Sequence, residues 1–183
     1  MTKKLLIGGI LAVFALIAYS FTLDNPAPAK AGNIAAETIT WHTWEEAQQL
    51  MEKKPKKIFI DVYTDWCGWC KRMDKETFTD AEVAKYMNEN FYAVKFNAEQ
   101  HEDILYKGTT LSYRPGGRRG VHELAVSLLD GRLGYPSFVY LDENQDRITI
   151  SPGYKTPDMM VKELKFIGGE YYKTMPFEEF QGK

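Results

Sequence analysis

The 183-residue chain contains only two cysteines, Cys67 and Cys70, in the segment Trp66-Cys67-Gly68-Trp69-Cys70. This segment directly follows a β-branched and aromatic run that predicts a buried strand, and we expect a helix to begin near Cys70 or slightly before it. Unpaired N–H groups at the start of a helix, together with the helix dipole, stabilise a thiolate. Cys67 can therefore attack a disulfide in another molecule, and Cys70 can resolve the mixed disulfide by forming a Cys67–Cys70 bond.

The cysteine pair could also have one of three less reactive roles. An inert structural disulfide is disfavoured because so small a loop constrains the unfolded chain only slightly. A metal site would need two further ligands, and the chain has only three histidines, His42, His101 and His122. Two buried, unreactive thiols are disfavoured by the charged neighbours Asp65 and Lys71. We therefore predict a redox-active disulfide, and we expect neither a metal nor another cofactor.

The composition excludes several classes of protein. Lys and Arg number 23 and Asp and Glu number 25, so the net charge is −2 and the basic excess that binds nucleic acid is missing. Two cysteines are too few for a multi-disulfide scaffold. With 44% hydrophobic residues, the chain has enough apolar material for the core of one ordinary globular domain.

Residues 1–31 have the layout of an export segment. Lys3 and Lys4 precede the uninterrupted apolar run of residues 5–19, and a Pro/Ala-rich stretch typical of a disordered spacer follows. Cleavage as a signal peptide and retention as an N-terminal membrane anchor both fit this pattern. We therefore expect residues 32–183 to form an exported domain, either free in the periplasm or anchored in the inner membrane, in a compartment that permits disulfides.

Cap and strand patterns predict the organisation of this domain. Thr43 with Glu46, and Thr79 with Glu82, match the capping box that begins a helix, and Thr156 precedes a proline that suits the first helical position. Besides the helix near Cys70, the predicted helices cover 43–53, 80–88, 121–129 and the residues after 156; the predicted strands cover 57–63, 91–96, 136–141 and 147–150. This order predicts an α/β sandwich around a mixed sheet.

The segment from Asp61 to Lys71, DVYTDWCGWCK, resembles the active-site segment of the thioredoxin superfamily. It is most similar to the thioredoxin-like proteins of bacterial envelopes, including the C-terminal domain of the disulfide reductase DsbD. The resemblance covers residues 58–164. It implies a thioredoxin-like three-layer sandwich, a mixed central sheet flanked by helices, with an insertion at about residues 98–134 before the strand that follows Pro136.

The resemblance also implies catalytic roles beside the two cysteines. Asp61 falls where the family keeps a buried acid that helps to move protons for the resolving thiol, and Lys95 falls where it keeps the lysine that pairs with that acid. The apolar run around Asp61 independently predicts its burial, and a buried Asp61 should have a raised pKa unless Lys95 offsets the loss of solvent. A solvated Lys95 fits the sequence almost as well.

Further residues are implied to bind the substrate. Pro136 matches the proline that is cis in this fold and faces the cysteines, although an ordinary trans proline at the start of a strand is the alternative. Gly153 matches the glycine that lets a substrate chain approach, and the two tryptophans of the motif suit an apolar docking surface. The complete predicted substrate-binding set is Trp66, Gly68, Trp69, Tyr135, Pro136 and Gly153.

The predicted function is an exported thiol-disulfide oxidoreductase that reduces disulfides of envelope proteins, with electrons from a membrane partner. Trp69 stands where the familiar thioredoxin has proline, and this departure leaves the direction of electron flow open. A disulfide oxidase or isomerase is one alternative, and a non-catalytic binding or chaperone-like module is another. The insertion carries Tyr106, Tyr113 and the arginines Arg114, Arg118 and Arg119, which suit either a partner-binding surface or a solvated loop.

Overall fold

The structure is a computed structural model that describes residues 37–182. The predicted export segment, residues 1–31, lies outside the described residues. Within the described range, every helix is too short or too polar to cross a membrane.

A five-stranded mixed sheet forms the centre of the domain. Strand β2 (Lys57–Tyr63) lies in the middle, as expected for a run that is apolar on both faces, and its bounds agree with the prediction. It pairs in parallel with β3 (Phe91–Asn97) and antiparallel with β8 (Ser137–Leu141). At the two edges of the sheet, β1 (Trp41–His42) pairs with β3, and β9 (Arg147–Pro152) pairs with β8.

Helices cover both faces of this sheet, which confirms the predicted three-layer arrangement. Side chains alternate along β2, so that Phe59 packs into one core and Ile58 and Ile60 pack into the other. The core around Phe59 is covered by α2 (Gly68–Glu76), α3 (Ala81–Asn90) and α5 (Pro157–Gly168). The opposite core is covered by α1 (Trp44–Lys53) and α4 (Glu123–Leu128).

The helix caps agree with the sequence at α1 and differ at α3. At α1, Thr43 and Glu46 form the predicted capping box. At α3 the predicted box at Thr79 is wrong, because Asp80 is the cap and its carboxylate accepts the N–H groups of Glu82 and Val83. The Thr79 hydroxyl instead donates to the carbonyl of Lys75, at the end of α2.

The predicted insertion folds into small elements of its own. Two short antiparallel ladders are present, β4 (Ile104–Tyr106) with β5 (Thr109–Leu111), and β6 (Tyr113–Arg114) with β7 (Val121–His122). Because Val121 and His122 pair in β7, α4 begins later than predicted. The buried His122 caps α4 through its Nδ1 atom and packs edge-on against Phe96, which ties the insertion to the central sheet.

Candidate active site

The two cysteines lie at the N-terminus of α2, where they form a disulfide. Cys67 is the N-cap of the helix, and its Sγ accepts the N–H of Cys70 at 3.1 Å. The chain turns sharply out of β2 because the Cys67 N–H donates to the carbonyl of Thr64. Both cysteines are buried, whereas Gly68 between them is exposed and borders open space. A second chain therefore has room to approach the disulfide from the side of Gly68.

A second segment lies beside this turn, and it consists of the residues just before β8 and just after β9. The Tyr135–Pro136 peptide is cis, as predicted. Ser137 pairs with Val62, which places Pro136 next to the end of β2 where the cysteine turn begins. The N–H of Gly153 donates to the carbonyl of Pro136 at 2.8 Å. Gly153 has a φ of +90° and open space beside it, so its backbone favours glycine and leaves room for a substrate chain.

Asp61 lies under the active-site helix, on the sheet face that α2 covers. Its side chain is buried, with 1% of the residue exposed, and its Oδ1 has no hydrogen-bond partner among the described residues. Asp61 and Lys95 are neighbours in the parallel register of β2 and β3, and Lys95 Nζ lies 3.1 Å from Asp61 Oδ2. Burial raises the pKa of Asp61 to about 6, in spite of the opposing effect of Lys95. Asp61 can therefore take up and release a proton near neutral pH.

Lys95 is shared between two carboxylates, because its ammonium group also contacts Asp74 of α2. Burial alone would lower the Lys95 pKa, but Asp61 and Asp74 outweigh it, so the pKa is raised and the lysine stays charged. Asp74 follows Cys70 by four residues and so shares its face of α2. The Lys95 ammonium is further surrounded by the rings of Trp41, Tyr63 and Phe78, at 4.9–5.5 Å from their centroids.

Both tryptophans of the motif are on the surface, on the two sides of the disulfide. Trp66 is 50% exposed and packs edge-on against Tyr135 at 6.0 Å between ring centroids. Trp69 is 55% exposed and packs against Tyr154 at 5.4 Å. The residues predicted to bind substrate thus lie either on the segment that carries the cysteines (Trp66, Gly68, Trp69) or on the neighbouring segment (Tyr135, Pro136, Gly153).

The structure places three further residues at the site that the sequence patterns did not single out. Two of them could have been found from the sequence. Asp74 lies one helical turn after Cys70, and Tyr154 directly follows Gly153. Glu99 could not, because the hydrogen bond that it accepts from Trp66 joins residues 33 positions apart. Among residues 37–182, no three His, Cys, Asp or Glu side chains come together in an arrangement that could hold a metal ion.

The chain matches a known family model over most of its length. The family Thioredox_DsbH, described as "Protein of unknown function, DUF255", matches residues 31–167. The chain belongs to this family. The match includes β2, the disulfide, the cis proline and most of α5.

Curated relatives share part of the sequence. Thiol:disulfide interchange protein DsbD of Haemophilus ducreyi is 38% identical over 80 residues, which are 40% of this chain and 14% of that protein. Spermatogenesis-associated protein 20 of Rattus norvegicus is 32% identical over 92 residues, which are 43% of this chain and 12% of that protein. The matched regions thus span only a small part of these longer relatives.

Solved structures establish the fold. A structure described as DsbH oxidoreductase has a TM-score of 0.53 and 18% identity, and the match covers 78% of this chain and 90% of that one. A thioredoxin from Thermus thermophilus has a TM-score of 0.54 and 17% identity, with 71% and 87% covered. These similarities confirm the predicted thioredoxin fold.

Proposed function

We propose that the chain is an exported thiol-disulfide oxidoreductase that reduces disulfides of envelope proteins, cycling between a Cys67/Cys70 dithiol and the Cys67–Cys70 disulfide. The observation that carries this proposal is the disulfide at the N-terminus of α2, next to open space at Gly68 and above the buried Asp61. A purely structural disulfide would not require a proton-accepting carboxyl under the same helix or exposed aromatic rings around it.

The reaction starts from the reduced protein. The Cys67 thiolate attacks one sulfur of the substrate disulfide, so that a mixed disulfide forms and the first substrate thiolate leaves. The Cys70 thiolate then attacks Cys67 Sγ, which releases the second substrate thiolate and closes the Cys67–Cys70 disulfide. The substrate gains two electrons, the protein loses two, and a membrane electron donor restores the dithiol.

The buried carboxylate supports the second step. Cys70 must lose its proton before it can attack, and an Asp61 carboxyl with a pKa of about 6 can accept that proton at neutral pH. Lys95 holds Asp61 by its Oδ2 atom, and Oδ1 is left without a protein partner among residues 37–182. Asp61 therefore has a free acceptor atom for a proton on the face of the sheet that α2 covers.

The resemblance of the segment from Asp61 to Lys71 to the disulfide reductase DsbD is the ground for proposing reduction as the direction and the cell envelope as the location. The export pattern of residues 1–31 supports the same location, either through a signal peptide or through a membrane anchor. Measurement of the reduction potential of the cysteine pair tests the direction. We expect a value below about −200 mV, and a value near the −120 mV of strong oxidants would support an oxidase instead.

Reduction of insulin by the protein, with dithiothreitol as electron donor, tests the activity itself. We expect Cys67→Ser to abolish turnover, and Cys70→Ser to accumulate a mixed disulfide with the substrate, because the resolving thiol is absent. Equal activity of wild type and Cys67→Ser would refute the enzymatic proposal and leave a binding or chaperone-like module. Mass analysis of the exported protein distinguishes a cleaved signal peptide from a retained anchor.

A further inference from the structure

Trp66, beside the disulfide, is held by two residues of the insertion. Its indole Nε1 donates a hydrogen bond to Glu99 Oε1 at 2.9 Å. The guanidinium of Arg119 lies over the indole ring, 5.1 Å from its centroid. Arg119 and Glu99 also contact each other, with 3.6 Å between Nη1 and Oε2. The three side chains therefore form a closed triangle of contacts, which we call the Trp66 clamp.

The backbone of the clamp is itself anchored to the sheet. The N–H of Glu99 donates to the side chain of Asn97, the last residue of β3, at 2.9 Å. Glu99 is only partly exposed, with 22% of its side chain accessible, whereas the Arg119 side chain is 56% accessible. The acid is thus held at the end of a central strand, and the exposed arginine closes over the ring from the turn between β6 and β7.

Trp69, on the other side of the disulfide, has an environment of the same kind. Arg72 lies 5.6 Å from the Trp69 ring and 5.2 Å from the Tyr154 ring, and it pairs with Glu76. The Tyr154 hydroxyl donates to Glu76 as well. On both sides of the disulfide, an exposed tryptophan therefore packs against a tyrosine and an arginine, and a glutamate offsets the charge of the arginine.

The two aromatic pairs, Trp66 with Tyr135 and Trp69 with Tyr154, form two walls beside the disulfide. Their chemistry indicates which kind of substrate side chain they bind. Each wall presents a broad aromatic surface whose charges cancel within it, so it favours an apolar side chain and does not select for charge. A half-exposed tryptophan that is already held in one position loses less conformational freedom when a partner binds, and this raises affinity. The walls flank the disulfide, so the occupant is the part of the substrate next to its own cysteine.

We propose that Arg119 and Glu99 are positioning residues that hold Trp66 as one wall of the substrate site, and that the insertion thereby favours polypeptides with an apolar side chain next to the disulfide to be reduced. The proposal rests on the proposed function and assigns the insertion a part in substrate selection. It predicts a defect that depends on the substrate and leaves the reactivity of the disulfide unchanged.

The test compares two disulfide-linked fluorogenic peptides, one with phenylalanine on both sides of its cysteine and one with alanine. For Arg119→Ala we expect KM for the phenylalanine peptide to rise about two- to fivefold, while kcat and the alanine peptide change little. Arg118→Ala is the matched control, because Arg118 is the exposed neighbour in the same turn and Arg119 is the arginine over Trp66. The reduction potential of the cysteine pair should be the same in both variants.

Each outcome decides one proposal. Selectivity between the two peptides that is equal in Arg119→Ala and Arg118→Ala overturns the clamp, provided that the wild type reduces both peptides. Failure of the folded wild type to reduce either peptide overturns the proposed function instead. Glu99→Ala is the second variant, since it removes the hydrogen bond to Trp66 and keeps the arginine; it should shift selectivity in the same direction, and Glu99→Gln, which retains an acceptor, should recover much of it.

Discussion

Replacement of Asp61 by Asn should stabilise the protein, and the gain should depend on pH. Burial raises the pKa of Asp61 from its ordinary value of 3.8 to about 6, so the folded protein binds this proton more tightly than the unfolded chain does. Each unit of difference between the folded and unfolded pKa corresponds to about 1.36 kcal/mol. The ionised side chain therefore lowers the free energy of unfolding by about 3 kcal/mol above pH 6. Asn has nearly the same shape and carries no charge, and Lys95 keeps Asp74 as a partner in the variant.

The direction of this pH dependence follows from proton binding in the folded and unfolded states. A group whose pKa is higher in the folded state than in the unfolded state has its smallest effect on the free energy of unfolding below about pH 4, where it is protonated in both states. It lowers this free energy more and more as the pH rises from about 4 to 6. We therefore expect the free energy of unfolding of Asp61→Asn to equal that of the wild type near pH 3.5 and to be larger by about 3 kcal/mol at pH 8.

Urea denaturation of the oxidised proteins at several pH values measures this difference. Other carboxyl groups titrate in both proteins, so their contributions cancel when the two curves are subtracted. Asp74→Asn is the comparison variant: it removes the partly exposed carboxylate that contacts the same lysine and keeps Asp61 ionisable, so its gain in stability at pH 8 should be smaller than that of Asp61→Asn. A variant that is no more stable than wild type at pH 8, or a difference that stays constant between pH 4 and pH 8, would refute the assignment of a buried carboxylate with a raised pKa.

Three further predictions test the site and its surroundings. Lys95→Met should raise the pKa of Asp61, because it removes the neighbouring positive charge, and Asp74→Asn should lower it, because it removes a negative one. The pH profile of insulin reduction should then shift upward for the first variant and downward for the second, and shifts in the same direction would contradict the arrangement. Gly153→Ala should lower the free energy of unfolding by about 1–3 kcal/mol, because φ is +90° there while nothing crowds the added methyl group. Thermal or urea denaturation measures this loss, and unchanged stability would contradict the strain argument. Asp80→Ala should lower the free energy of unfolding by about 1 kcal/mol through loss of the α3 cap, and by more than Thr79→Ala does. A larger loss of stability for Thr79→Ala than for Asp80→Ala in urea denaturation would indicate that Thr79 is the cap.

Local sequence patterns predicted the elements whose signals are self-contained. The bounds of β2 follow from a short run rich in β-branched and aromatic residues, which favours a strand buried on both faces. The start of α1 follows from the capping box at Thr43, in which both partners lie within four residues. Thr79 and Asp80 are adjacent residues that both suit a cap, and the local sequence does not choose between them. In the structure the Asp80 carboxylate accepts two N–H groups of α3, and the Thr79 hydroxyl lies against the carbonyl of Lys75 in α2.

The sequence by itself determined the reacting atoms, because two cysteines separated by two residues at the end of a buried strand bring their sulfurs together on one helical turn. It also predicted burial of Asp61 from the apolar residues on either side. Only the tertiary structure decided the surroundings of these groups. Lys95 meets Asp61 through the register of two strands and meets Asp74 through the packing of α2, and Trp66 meets Glu99 and Arg119 through the fold of the insertion. Such contacts join residues that are far apart in the chain, so they depend on how whole elements pack and leave no local pattern in the sequence.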